Sequence, residues 1–379
     1  MSAETGSEGA GRLLAGDSGL TCGVYLTRTE EDRMPRDIVS PHEVDLESVG
    51  RRDYWVSLSH TSVWGSHLIP LTVIVGQQAK PGEGLVAFGA NHGNEYEGPV
   101  AIKHLLREIQ TKDVLGRIVL VPVLNVAAFS VGARESTADD GYNLNRVWVE
   151  GAGTTPTLAG ITHRIVDFVR SAIWPHIHIC LDIHSGGEVA RFAHWSGYFE
   201  HDDPNINERR QEMARWFGCG VVLATGRSTP NGVSRGLYEE ADDLGKFSIG
   251  TELGHGSSTD VRGVRYARQG ILAAAIEHQQ LRGTLGPIDH HADGTQCLVQ
   301  GATSVAAPYP GHYEPLFDCG SEVSKGTTVG LLHDFFRMDE DPFEVVAGAD
   351  GIVISQAWGA RVDQGQMILL VGQKAEFER

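Results

Sequence analysis

The stretch "GLVAFGANHGNEYEGPVAIKHLLREIQ", Gly84 to Gln110, decides how the rest of the chain is read. Its opening, "GLVAFG", is an apolar run bounded by glycine, the composition of a buried strand. Its closing part carries Val100, Ile102, Leu105, Leu106 and Ile109 at helical spacing. Pro99 falls in the first turn, where a missing N–H breaks no helical bond. A strand passing into a helix through a polar loop is the unit of an α/β fold. The loop itself raises the question of chemistry. His92 and Glu95 either decorate a hydrated turn or aim a ring nitrogen and a carboxylate oxygen at one cation. The spacing alone does not choose.

Working outward, "YWVSLSH" (54–60), "HLIPLTVIVG" (67–76) and "GRIVLVPVLN" (116–125) read as strands. The last is continuously apolar, as in a sheet covered on both faces. A helix over 157–174, a strand over 176–187, a helix over 207–218, strands over 219–226 and 246–254 and a helix over 268–283 follow. The alternation predicts a three-layer α/β/α domain with a mixed sheet over 51–288. Residues 1–50 read as an N-terminal arm, partly flexible because its start is small, polar and aperiodic. From 289 to 379 short strand-like runs alternate with glycine turns and no helix is evident, which predicts a small all-β domain. Its "ADGIVISQ" and "RVDQGQMILLVG" runs look like the hairpins of biotinyl and lipoyl carriers. No lysine stands between Ile354 and Arg361 to be modified, so a carrier role is set aside.

Charge narrows the function. Net charge is −18, from 49 acidic and 31 basic residues, the opposite of the basic footprint a nucleic-acid partner requires. No apolar run approaches the length of a membrane span. Five cysteines without a CxxC pair fit reduced thiols, and the first residues lack the basic and apolar regions of a secretion signal. A cytoplasmic protein without a membrane partner is expected.

What else lies at strand ends bears on the His92–Glu95 question. "ICLDIHSGG" places His184 after an apolar strand, as "GLVAFGANHGNE" does His92, and parallel strands carry ligand sites at their carboxyl ends. A catalytic zinc keeps three protein ligands and one open position. Glu252, ending the apolar strand of "SIGTELGHG", can take a proton from a water and hand it to a leaving amine. The loop "GARESTADDGYNLNRVW" (132–148) adds Arg134 and Arg146, which are either solvated or able to stabilise an oxyanion and clamp a carboxylate.

"NHGNEYEG", "NLNR", "LDIHSGG" and "GTELG", in this order, resemble the zinc carboxypeptidase clan, in its succinylglutamate desuccinylase/aspartoacylase branch. With "SHTSVWGSHLIPLTVI" (59–74) ahead of them, the chain is similar to N-acetyl-L-2,4-diaminobutyrate deacetylases from about Tyr54 to Gly372. The resemblance implies one Zn²⁺ per chain, held by His92, Glu95 and His184, with Glu252 as general base and Arg134 polarising the carbonyl. It places Asn145 and Arg146 on the pair that holds the substrate's α-carboxylate. Asn143, counted with them on the substrate side, falls where the peptidases use an aspartate to orient a ligand histidine. It also implies a homo-oligomer of two or four chains. Where the family has a Phe-Pro-Gly-like turn after "NLNR", this chain has "VWVEG".

The reaction expected is removal of a short, acetyl-like acyl group from an N-acyl amino acid. The rivals are a carboxypeptidase-like hydrolase of a small peptide and a non-catalytic binding protein on the same fold. "IDHHAD" (288–293) reads as a linker, because neighbouring residues rarely ligate one ion. His255 is a candidate for the pocket wall. Side-chain specificity is expected from "RFAHWSGYFEHDD" (191–203) and "GRSTPNGVSRGLYEEADD" (226–243), where Arg191, Arg227 or Arg235 could meet an acidic group.

Overall fold

In chain order the strands are β1 Asp37–Val39, β2 Gly50–Ser59, β3 Ser66–Val75, β4 Gly84–Gly89, β5 Arg117–Val121 and β6 Ile177–Ile183. They continue as β7 Ala190–Phe192, β8 Trp195–Phe199, β9 Val221–Thr225, β10 Phe247–Glu252, β11 Cys297–Ala306 and β12 Gly311–Pro315. The last six are β13 Glu322–Val323, β14 Thr328–His333, β15 Phe343–Val346, β16 Gly351–Ala357, β17 Arg361–Val362 and β18 Met367–Ala375. The helices are α1 Glu97–Glu108, α2 Val126–Phe129, α3 Ile161–Phe168, α4 Pro204–Arg215, α5 Leu237–Asp243 and α6 Val261–Glu277. The computed structural model describes residues 37–59, 65–149, 160–226, 236–290 and 295–377. The expected flexible start of the arm lies outside them.

The main sheet runs β1-β2-β3-β5-β4-β6-β10-β8-β9-β11-β18-β16-β13 and is mixed, as expected. Its centre is parallel: β4 pairs with β5 and β6, and β6 with β10. Side chains alternate faces along each strand with a period of two. Leu85 and Ala87 therefore join the core beneath α1, α4 and α6. Val86 and Phe88 join the opposite core with α3 and α5. Helices on both faces explain why these strands are apolar throughout.

Two segments take up regular structure that the sequence reading leaves unassigned. "RFAHWSGYFE" forms β7 and β8, and β8 is inserted antiparallel to β10 and parallel to β9. Its short aromatic run is stabilised by pairing on both edges, a tertiary effect that local pattern does not reveal. "LYEEADD" forms α5, whose Leu237 and Ala241 fill the core.

Beyond residue 289 the described chain is all strand and loop. β15-β14-β12-β17 make a separate four-stranded sheet, while β11, β18, β16 and β13 extend the main one. β11 pairs in parallel along β9, from Cys297 opposite Val221 to Gln300 opposite Ala224. The sheet thus continues across the expected boundary at 288/289.

Candidate metal centre and active site

Register places the site. Phe88 and Gly250 both lie opposite Asp182, so the carboxyl ends of β4, β6 and β10 finish side by side. His92 follows the first, His184 the second, and Glu252 ends the third. The β4–α1 loop is shaped by close approach more than by glycine freedom. The left-handed residue is Ala90, at φ 49°. Gly93 is needed because a Cβ there would strike the α2 backbone at Ala128 and Phe129.

Three of the expected residues meet. One atom each from His92, Glu95 and His184 lies within 4.8 Å of the others, and all three side chains are buried. His92 Nδ1 is 2.7 Å from Glu95 Oε1, and His184 Nδ1 is 2.9 Å from Glu95 Oε2. The far nitrogens are also held. His92 Nε2 lies 3.1 Å from Asn143 Oδ1, and His184 Nε2 lies 2.9 Å from Asp182 Oδ2. An oxygen acceptor on each Nε2 fixes its proton there and leaves both Nδ1 lone pairs for one point. This donor set suits a single divalent metal ion.

Asn143 therefore sits against a ring nitrogen, as the orienting reading requires. Asp182 was not anticipated, although D-x-H on one strand sets both side chains on the same face. Fully buried, Asp182 also accepts Asn91 Nδ2 at 3.2 Å. Asn91 in turn reaches Asn145 Oδ1 at 3.2 Å, which also accepts the Leu237 N–H at 2.9 Å. Asn145 is thus buried, with its oxygen committed and its NH2 group at the cluster's edge. Arg146 is exposed and donates Nη1 to Asn145 O at 2.7 Å. Arg134 donates Nη1 to Glu95 Oε1 at 3.0 Å and stays partly exposed.

Charges follow from these contacts. Burial works against a charge on Glu95, but His92 and His184 outweigh it and hold its carboxyl well below the usual range. Burial lowers His92. For His184, burial is overcome by Asp182 and Glu95, which hold its pKa well above the ordinary value. Glu252 moves the other way. Burial and then the charge of Glu95 push it up to about 8, against His184 and Arg134. Its Oε2 is enclosed without a hydrogen-bond partner. A carboxyl oxygen beside the cluster, raised and unbonded, is free to exchange a proton.

Glu97 links two helices. Buried at the start of α1, it accepts the Asp260 N–H at 2.8 Å and so ties α1 to the start of α6. Burial raises its pKa. Of "IDHHAD", Asp289 and His290 are strapped to α6 through Gln269 and Tyr266, as a linker would be. His291 and Asp293 lie outside the described residues, as do Arg227 and Arg235. His255 packs on Trp358 and Arg191 lies over the same ring, with no place in the metal cluster.

Comparison with known proteins identifies the family. The chain is 28% identical over 344 residues to the N-alpha-acetyl-L-2,4-diaminobutyric acid deacetylase of Halomonas elongata, covering 88% of this chain and 94% of that one. The crystal structure of a succinylglutamate desuccinylase/aspartoacylase from Rhodobacter sphaeroides superposes with a TM-score of 0.79 at 28% identity, covering 88% and 98% of the two chains. The product-bound ectoine utilization protein EutE (DoeB) from Ruegeria pomeroyi gives 0.76 at 29% identity, covering 87% and 98%. The profile of the succinylglutamate desuccinylase/aspartoacylase catalytic domain matches residues 81–277, more than half of the chain, from the strand before His92 to the end of α6. The chain belongs to the succinylglutamate desuccinylase/aspartoacylase family.

Proposed function

We propose that the protein is a zinc-dependent amidohydrolase that removes a short acyl group from an N-acyl amino acid. The observation that carries this reading is the convergence of His92, Glu95 and His184 at the strand end where Glu252 keeps an enclosed Oε2 without a hydrogen-bond partner. Zinc in this donor set supplies Lewis-acid charge that acidifies a water and polarises an amide carbonyl. The rest falls to the chain. A cation among the three ligands favours the ionised form of Glu252, which then accepts the proton of the attacking water. Arg134, anchored by Glu95, donates to the carbonyl oxygen as it gains charge. Glu252 returns the proton to the departing nitrogen, leaving a free amino acid and a carboxylic acid.

Asn145 and Arg146 are proposed to hold the substrate's α-carboxylate. In support, Asn145 keeps an NH2 donor at the cluster's edge and the Arg146 guanidinium is exposed beside it. We also propose 51–288 as the catalytic part, 289–379 as a β-module on its sheet, a homo-oligomeric assembly and a cytoplasmic setting. Cysteines left as thiols, Cys180, Cys297 and Cys319 among them, support a reducing compartment.

A mass-spectrometric screen of zinc-loaded protein tests the reaction. The panel is N-acetyl and N-succinyl amino acids, beginning with N-acetyl-L-2,4-diaminobutyrate. Glu252-dependent release of a free amino acid is the expected result. No such product from any member would refute the proposal.

A further inference from the structure

A second cleft, of about 640 Å³, opens between the start of α6, the β7–β8 segment and the strands of the β-module. Neither the three cluster residues nor Asn143, Asn145 or Arg146 line it. Its size is that of a small-molecule site. In a chain of net charge −18 its lining is locally cationic, with Arg191, Arg262, Lys374, His194 and His255 against Asp260 and Asp318.

The pairing of these groups shows which are open to a ligand. Asp260 is engaged inside the protein, accepting from the Gly263 N–H at 2.8 Å and lying 3.1 Å from His194 Nε2. Lys374 holds Glu322 at 2.5 Å. Arg191 differs. Its guanidinium lies 5.0 Å over the Trp358 ring, and among the described residues no carboxylate pairs with it. The His255 ring sits 5.0 Å from the same tryptophan and lines the cleft, while its Nδ1 is enclosed without a hydrogen-bond partner. An unpaired guanidinium and an unbonded imidazole nitrogen thus share one aromatic support. Phe192, Ile352, Cys297 and Cys319, which pack together beneath, give the cleft an apolar floor.

We propose that this cleft is a second binding site, separate from the metal centre. It takes a small organic anion with a carboxylate or phosphate head, met by Arg191 and His255, and an apolar body set on the floor. A guanidinium fork matches either head group, and a carboxylate-free Arg191 leaves its donors for the ligand. His255 stands on the loop that follows Glu252. Gly256 of that loop lies against Trp358, where an added Cβ would come within 2.5 Å of the ring. The site is therefore next to the catalytic base without sharing its ligands.

The test uses three probes with one apolar body: phenylacetate, phenyl phosphate and phenethylamine. Calorimetric titration is done on the zinc-loaded full chain and its variants. Saturable binding of either anion, but not of the amine, supports the site, and the tighter anion names the head group. Binding should weaken at least about tenfold in Arg191→Gln and in His255→Gln, and persist in His92→Ala. Circular dichroism melts show that each variant is folded, and Arg191→Lys should recover part of the affinity. No saturable anion binding up to about 10 mM would overturn the proposal, as would binding untouched in Arg191→Gln or abolished in His92→Ala.

Discussion

Each imidazole of the cluster is held at both ends, and the far end carries as much of the design as the near one. Asp182 fixes the His184 Nε2 proton, so Asp182→Asn should weaken metal binding by about 10–100-fold while leaving the fold intact. Equilibrium dialysis with competing chelator reads this directly. In the metal-free protein His184 holds a proton between Asp182 and Glu95, and a metal ion must displace it. Metal affinity should therefore rise with pH beyond the ordinary imidazole range, with proton release on binding, and level off once His184 has titrated. Glu252 has a consequence for stability. Its folded pKa of about 8 exceeds the ordinary 4.5, so between those values the unfolded state has already lost the proton that the folded state keeps. Stability of the metal-free protein then falls as pH rises through this window. Glu252→Gln should raise the metal-free Tm near the upper end of the window and not below its lower end. His92, His184 and Glu252 could be proposed from sequence because each follows or ends an apolar strand, and Glu95 from its spacing to His92. Asp182 could not be singled out, since one acid inside a strand acquires meaning only when the ring beyond it turns back.

At the scale of elements, the site depends on how closely the β4–α1 loop lies on α2. Gly93→Ala sets a methyl into the Ala128–Phe129 backbone, so the loop must shift and carry His92 with it. Urea melts should show a loss of about 1–3 kcal/mol, with weaker metal binding than wild type. Long periodic elements such as α1, β4 and β6 were legible because their patterns match their burial. β8 and α5 were not. Trp195–Phe199 mixes polar and aromatic residues and becomes a strand through β10 and β9 on its two edges. Leu237–Asp243 is too short and acidic to announce a helix, and is fixed by Leu237 and Ala241 in the core. The role of Glu97 was hidden for a related reason. Its partner, the Asp260 N–H, is remote in sequence, and nothing local marks a first-turn acid as a staple between helices.

For the whole molecule, the change of texture near residue 288 is a change of strand chemistry without a break in the sheet. β11 completes the edge of β9 through the register Cys297–Val221 to Gln300–Ala224. A chain ended at 288 would leave that edge unpaired, and such edges template aggregation. Size-exclusion chromatography should find the truncated chain aggregated while the full chain is not, and a soluble monodisperse 51–288 fragment would contradict this coupling. The α/β/α layering was readable from alternation alone, whereas the joining of two sheets into one follows from pairings that no local segment encodes.

One metal ion and Glu252 are proposed to act together at the ends of β4, β6 and β10. Metal content and turnover measured on the same samples, with the most active N-acyl amino acid of the panel, separate their roles. One zinc per chain is expected in wild type and in Glu252→Gln, with turnover lowered about 10²–10⁴-fold in the variant. Loss of both zinc and turnover is expected in His184→Ala. Near-normal turnover by zinc-loaded Glu252→Gln, or by zinc-free His184→Ala, would contradict that joint action.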